Sequence, residues 1–336
     1  MAGYNVVVIA PALKTSMYND IRLEAFPRIS SRLRRVVVGL YRMTQMAIRE
    51  KADIYQFHDP ELIGVAILLR FLGKRVVYDV HEDLPQDVYN KDFLPRRLLP
   101  FIAFIVACVE AVSSRLFSGI VTATPTIAAR FPEHKTVCVK NYPVWESYGS
   151  ATMAVPDAPA SAVYVGGLSE VRGIEIMLEA ARGISEKRPY TLLLAGKFRP
   201  QSLEVAATEH DFVEYLGQVS PDNIPEILAK AQIGIVVLSP LQSYIDALPL
   251  KLFEYMAAGL PIIASNFGVM KKIVSESKCG LLVQPGSVKE LAEAQEYLFD
   301  HPEEATLMGK RGRAAIQQKY NWEKEAAVLV DFYDQL

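Results

Sequence analysis

The stretch Asp246-Ala-Leu-Pro-Leu-Lys-Leu-Phe-Glu254-Tyr-Met-Ala-Ala-Gly-Leu-Pro-Ile-Ile-Ala-Ser265 sets out a loop, a helix and a strand in succession. Pro249 stands where a helix opens, and Gly259-Leu-Pro261 stops it before the apolar run that follows, the usual asymmetry of helix ends. A helix starting straight after a loop leaves free N–H groups and the positive end of its dipole there. That favours an anion such as a diphosphate. Asp246 and Glu254 lie eight apart, one in the loop and one on the second helical turn, so they need not share a helical face.

Outward from this stretch the second half repeats the same grammar. Apolar runs at Ala162–Val165, Tyr190–Ala195, Val213–Leu216, Ile233–Leu238, Pro261–Ala264 and Gly280–Val283 alternate with amphipathic helical segments. Continuous apolar strands separated by helices predict a parallel sheet covered on both faces, hence a doubly wound α/β domain. The first half follows more loosely, with strands expected at Asn5–Ile9, Asp53–Phe57, Arg75–Asp79, Gly119–Thr122 and Thr136–Val139. Helices are expected at about 31–49, 60–72, 95–117 and 125–131. Residues 143–160 are rich in Pro, Ala, Ser and Gly, which suits a linker. The expected division is a first domain over 1–145, a linker over 146–160, a second domain over 161–319 and a terminal helix over 320–336. Ligands of open α/β sheets bind beyond the carboxyl ends of the strands, so a cleft faced by two such ends is the expected site.

The composition fits. At 336 residues, 51% hydrophobic and 22% charged, the chain is long and apolar enough for about two packed domains, and collagen, coiled-coil arrays and disulfide scaffolds are excluded. Three scattered cysteines (Cys108, Cys138, Cys279) read as reduced thiols of a cytoplasmic protein, and five histidines without HExxH or HxH spacing give no expected metal site. The longest apolar run, Leu98–Val109, is closed by Glu110 and is shorter than the roughly 20 residues of a membrane span. Met1 opens directly onto AGYNVVVIAP with no basic region before it, so no signal peptide is expected. Residues 1–150 carry 19 Lys+Arg against 14 Asp+Glu, and the remainder 17 against 24. The basic half lacks the aromatic-plus-basic pattern of a nucleic-acid binder, and an anionic membrane surface suits it better.

The 246–265 segment resembles the acidic-x7-acidic signature of glycosyltransferase family 4, the group 1 retaining enzymes with two Rossmann-like domains of the GT-B fold. Three further segments carry the resemblance: Tyr164-Val-Gly-Gly-Leu-Ser-Glu-Val-Arg172-Gly173, Val213-Glu-Tyr-Leu-Gly-Gln-Val-Ser220, and the pair Phe57-His-Asp-Pro-Glu-Leu62 and Tyr78-Asp-Val-His81-Glu-Asp83. The last two are similar to the HDPEL and DVHED segments of a bacterial branch. The resemblance implies that Glu254 accepts hydrogen bonds from the ribose of a UDP- or GDP-linked sugar and that Asp246 contacts the sugar. Arg172 clamps the diphosphate, and His81 approaches the donor sugar. Family members usually carry a second basic residue where this chain has Gly167, and Lys251 is the expected substitute for its charge. Gly166, Gly167, Gln218, Val219, Leu248, Pro249 and Leu250 complete the expected donor site, with His58, Asp59 and Glu82 on the acceptor side. Trp322 is expected to pack on the first domain.

The activity implied is transfer of a sugar, with retention and without metal or other cofactor, to a saccharide or lipid-linked saccharide in bacterial surface polysaccharide synthesis. The protein is then expected in the cytoplasm, peripheral on the inner face of the plasma membrane. Ser30–Arg42 and Lys91–Ile105 mix cations with large apolar residues, as an interfacial helix does. A non-hydrolysing nucleotide-sugar epimerase and an inactive GT-B binding protein stay open as alternatives. Ala2-Gly-Tyr-Asn-Val-Val-Val-Ile resembles the family's second strand, so the first domain is expected to lack a first β-α unit of roughly 30 residues.

Overall fold

A computed structural model describes residues 3–18, 20–27, 38–90, 94–149 and 159–336. The chain forms two compact units, Met1–Val139 together with Ala327–Leu336, and Lys140–Ala326. Strands and the helices of nine residues or more are labelled in chain order.

In the first unit, β1 (Val7–Pro11), β2 (Ser16–Tyr18) and β3 (Ile21–Phe26) precede α1 (Leu40–Glu50), β4 (Ile54–Phe57), α2 (Ile63–Phe71) and β5 (Arg75–Val80). Then come α3 (Leu99–Ser114), β6 (Gly119–Thr122) and β7 (Thr136–Cys138). β4-β5-β6-β7 form a parallel sheet in that order. Its core packs Phe57 flat on Tyr78, ring centroids 4.7 Å apart, with Phe117 edge-on to both.

β1 departs from expectation. It pairs in parallel with β3, which pairs antiparallel with β2, and this three-stranded sheet is separate from the other. The β2–β3 pair was not expected, because Arg22 and Glu24 interrupt the apolar pattern of β3. Arg22 pairs with Glu24 at 2.7 Å and with Glu50, so its charge is met locally. The part of helix 31–49 that precedes Val38 lies outside the described residues, as do Lys91–Phe93 and 150–158.

The second unit holds β8 (Ala160–Val165), α4 (Ile174–Ser185), β9 (Tyr190–Ala195), β10 (Val213–Gly217), β11 (Ile233–Val236) and α5 (Leu250–Ala258). β12 (Ile262–Ser265), α6 (Gly268–Ser277), β13 (Gly280–Val283), α7 (Val288–Asp300) and α8 (Pro302–Gln318) follow. The six strands are all parallel, in the order β10-β9-β8-β11-β12-β13. Alternation along β8 sends Val163 and Val165 to the core under α5, and Ala162 and Tyr164 to the core under α4. The order reverses between β8 and β11, the switch point where doubly wound sheets bind their ligands.

The linker expected over 146–160 is in part packed structure. Trp145–Tyr148 form a helical turn, and Tyr142 and Tyr148 are buried in the core under α5. Tyr142 stands edge-on to Phe253 at 4.7 Å. The last helix, α9 (Trp322–Asp334), belongs to both units. Trp322 lies in the second unit, its backbone N–H donating to the Pro143 carbonyl. From Ala327 onward the helix belongs to the first unit. Phe332 lies over Gly119, and the Tyr333 hydroxyl donates to Gln56.

Candidate active site

Each unit carries one cluster of chemically active side chains, both at carboxyl ends of strands. In the second unit, Gly166-Gly167 follow β8, and α5 opens at Leu250 with Pro249 before it and no side chain capping its first turn. α5 is tied to the sheet by the Val165 N–H, which donates to the buried Tyr255 hydroxyl at 2.7 Å. This brings Lys251, on the first turn, over the loop after β8. Its Nζ stands 3.6 Å from the centroid of the Tyr164 ring and is buried, with no hydrogen-bond partner among the described residues. Burial, with the charge of Arg172 nearby, holds the Lys251 ammonium well below the usual lysine range.

Arg172 reaches the same loop from the turn Glu170–Arg172, its Nη1 3.5 Å from the Gly167 carbonyl oxygen. Burial opposes its charge, but contacts with Tyr244 and Tyr164 outweigh that and push its pKa up. The two glycines make room for the two cations. A Cβ on Gly166 would stand 2.9 Å from Lys251 Nζ, and one on Gly167 would stand 2.5 Å from Arg172 Nη1. Gly166 also has φ +127°, a conformation that side chains resist. The missing basic side chain at 167 is thus matched by Arg172 lying across that position.

Glu254, one turn beyond Lys251, is buried, which pushes its pKa up against the opposing effects of Lys251 and the Tyr148 hydroxyl. Asp246 does not join this cluster. It is exposed at the end of the short helix Gln242–Ile245. Gln218 and Val219 follow β10, and the Gly217 carbonyl accepts from the Gly196 N–H, which aligns that loop with the ones after β9 and β8. Leu248 packs against the core and leads into Pro249 and Leu250. The chain thus supplies two cations, an uncapped helix start and a buried carboxylate around one Gly-Gly loop, an arrangement suited to a nucleoside diphosphate.

In the first unit, His58 follows β4 and His81 follows β5, and both are exposed. Between them is Asp79, buried in β5 and absent from the expected site. His58 Nδ1 is 3.2 Å from Asp79 Oδ2, and His81 Nε2 is 3.2 Å from Oδ1. Gln56 donates to Oδ2 at 2.5 Å and in turn accepts from Tyr333. Burial raises the Asp79 pKa, but the two histidines outweigh it and hold the carboxyl at about 2. The Asp79 hydrogen bond raises His81 in return, against burial. Asp59 and Glu82 are exposed at the ends of the same strands, where Glu82 adds to the rise of His81. One ligand atom from each of His58, Asp79 and His81 lies within 4.8 Å of the others, so the fold assembles a set that a metal ion could bridge, although no sequence spacing announces it. Hydrogen bonds from Gln56 and the histidines already account for the buried carboxylate.

Residues 1–140 match the family model for Glycosyltransferase Family 4, and residues 152–315 that for Glycosyl transferases group 1. D-inositol 3-phosphate glycosyltransferase of Arthrobacter sp. (strain FB24) is 28% identical over 202 residues, 57% of this chain and 46% of that protein. Spore coat protein SA of Bacillus subtilis (strain 168) is 26% identical over 258 residues, 68% of this chain and 66% of that protein. The chain therefore spans about half to two thirds of the length of these curated relatives. Sucrose-phosphate synthase of Thermosynechococcus elongatus has the same fold, with TM-score 0.73 at 21% identity over 99% of this chain and 89% of its own. With its two Rossmann-like units and both family models matched in sequence, the chain belongs to the family 4, group 1 glycosyltransferases of the GT-B fold.

Proposed function

We propose that the protein is a retaining, metal-independent glycosyltransferase. It moves a sugar from a UDP- or GDP-linked donor to a saccharide acceptor carried on lipid, in bacterial surface polysaccharide synthesis. The observation that carries this reading is the buried Lys251 Nζ, without a hydrogen-bond partner among the described residues, beside Arg172 at the Gly166-Gly167 loop. A buried amine without a hydrogen bond is costly, and a bound diphosphate is the kind of group that relieves the cost.

Glycosyl transfer leaves negative charge on the departing diphosphate and positive charge on the anomeric carbon. Lys251, Arg172 and the first N–H groups of α5, gathered at the Gly166-Gly167 loop, stabilise the leaving group with little reorganisation. Glu254 accepts from the donor ribose, and its burial strengthens that bond. His81, held by Asp79, contacts the donor sugar, and Asp246 contributes from its exposed loop. Front-side attack guided by the departing phosphate gives retention and requires no protein base. Gln218 and Val219 border the nucleobase, and His58, Asp59 and Glu82 contact the acceptor. The enzyme works on the cytoplasmic side, peripheral to the membrane that carries its acceptor.

Isothermal titration against a panel of UDP- and GDP-sugars tests the donor site, and assay of the product with lipid-linked saccharides tests transfer. One donor should bind, and Glu254→Ala should weaken it about 10–100-fold, the loss of a charge-assisted hydrogen bond. Donor affinity unchanged in that variant, or no donor bound at all, refutes the assignment. Burial lowers the Lys251 pKa and a bound diphosphate opposes that shift, so donor affinity should fall as pH rises. Conversion of the donor without any acceptor would instead identify an epimerase.

A further inference from the structure

α3 is built inside out. Its buried side holds Leu99 and Ala103 but also Glu110, Ser113 and Ser114. Glu110 accepts from the Tyr78 hydroxyl at 3.0 Å and pairs with Arg130 at 2.5 Å. The other side is apolar and open to solvent: Phe101 is 62% and Phe104 66% exposed, and Ile105, Val109, Val112 and Leu116 are exposed with them. These positions recur at helical spacing and make one continuous stripe. α2 extends it with the exposed Leu68 and Phe71, and an apolar groove lined by Ile67, Cys108 and Val112 joins the two helices. A helix on the water-facing side of a domain ordinarily shows the reverse pattern.

The charges around the stripe indicate what covers it. Arg96 and Arg97 are exposed at its start and Arg115 at its end. The only acidic side chain of the helix is Glu110, which is turned inward. A second copy seated on the same face would bring arginines against arginines with no acid to answer them. Residues Arg96–Leu116 are long and apolar enough to cross a membrane by length and composition, contrary to the expectation from the Leu98–Val109 run. The Glu110–Arg130 pair and the buried serines nonetheless fix one side of the helix to the domain.

We propose that this face docks on an anionic lipid bilayer, with α3 lying flat, Phe101 and Phe104 below the headgroups and the arginines at lipid phosphates. The surface deepens the reading of a lipid-carried acceptor and rests on it for its purpose. Vesicle binding is measured without turnover, so either can fail alone.

The test is flotation of the whole protein with vesicles of phosphatidylcholine, or of phosphatidylcholine with phosphatidylglycerol, at low and high salt. The protein should float with the phosphatidylglycerol vesicles at low salt and less at high salt. Phe101→Glu/Phe104→Glu should lower the bound fraction at least about 10-fold. Arg96→Glu/Arg97→Glu should remove the preference for anionic lipid. Circular dichroism melts and donor titration check that each variant is folded. No flotation with anionic vesicles, or flotation unaffected by both variants, overturns the proposal. So does a dimer, seen by sedimentation velocity, that Phe101→Glu/Phe104→Glu disrupts while vesicles are ignored. Should the phenylalanine variant fail to fold, the arginine variant and the salt dependence of the native chain still decide.

Discussion

Asp79 has no room to be neutral without consequence, since Gln56 and two histidines all converge on its carboxylate. Its pKa of about 2, against 3.8 for the free side chain, contributes about 2 kcal/mol of stability above pH 3.8. That contribution is lost as pH falls from 3.8 towards 2. His81 is shifted the other way. Its share is fully present below its ordinary value of 6.5 and is lost as pH rises through the raised folded value. Both shifts describe one contact and are not added. Asp79→Asn should therefore bring the His81 titration, followed by NMR of the ring, back down towards 6.5 or below. It should also remove the steep loss of stability between pH 4 and 2. A His81 midpoint unchanged in the variant would show that Asp79 does not hold it. The sequence pointed to His58 and His81 through the strands that precede them. The signal for Asp79 is an acid at a buried position of the apolar strand Arg75–Val80. Tyr333 left no such trace, because its partner Gln56 is far away in the chain.

Elements whose apolar pattern is complete were legible. All six strands of the second sheet lie where their runs predict, because both faces of each strand are covered and nearly every side chain is apolar. β2 and β3 were not legible, because one of their faces is polar and their charges find partners only in the folded chain. The position of α5 depends on a contact that no pattern reveals. Its Tyr255 hydroxyl satisfies the Val165 N–H, just before the Gly166-Gly167 loop. Tyr255→Phe leaves that buried N–H unpaired and should cost about 1–3 kcal/mol, lowering the melting temperature of the second unit by several degrees. Donor affinity should fall with it, because α5 carries Lys251 and Glu254. A variant that melts and binds like the native protein would show that packing alone seats the helix.

At the scale of the molecule, two α/β units of opposite charge were legible from alternation and composition, but not the place where one ends. Residues 143–160 look like a linker by their Pro, Ala, Ser and Gly content, and it is two aromatic side chains, Tyr142 and Tyr148, that fasten the start of this region to the second unit. The segment Ala327–Leu336 escapes a linear reading too, since it completes a unit whose other residues end at Val139. A chain cut after Ala326 should melt in two steps. The second unit should keep its native transition, and the first should unfold at lower temperature for want of Phe332 over Gly119 and Tyr333 on Gln56. A first unit equally stable without the segment would show those contacts to be dispensable.

The same segment bears on the order of events at the ribosome. Domains commonly fold as they emerge, the first before the second, at about 5–20 residues added per second. Here the first unit is finished only by residues made after the whole of the second. The intervening 187 residues, Lys140–Ala326, take roughly 10–40 s to synthesise at that pace. During that interval the nascent first unit lacks Phe332 over Gly119, at the start of β6. The earlier of the two units is thus the last to be completed, and it is the one a waiting chaperone would meet.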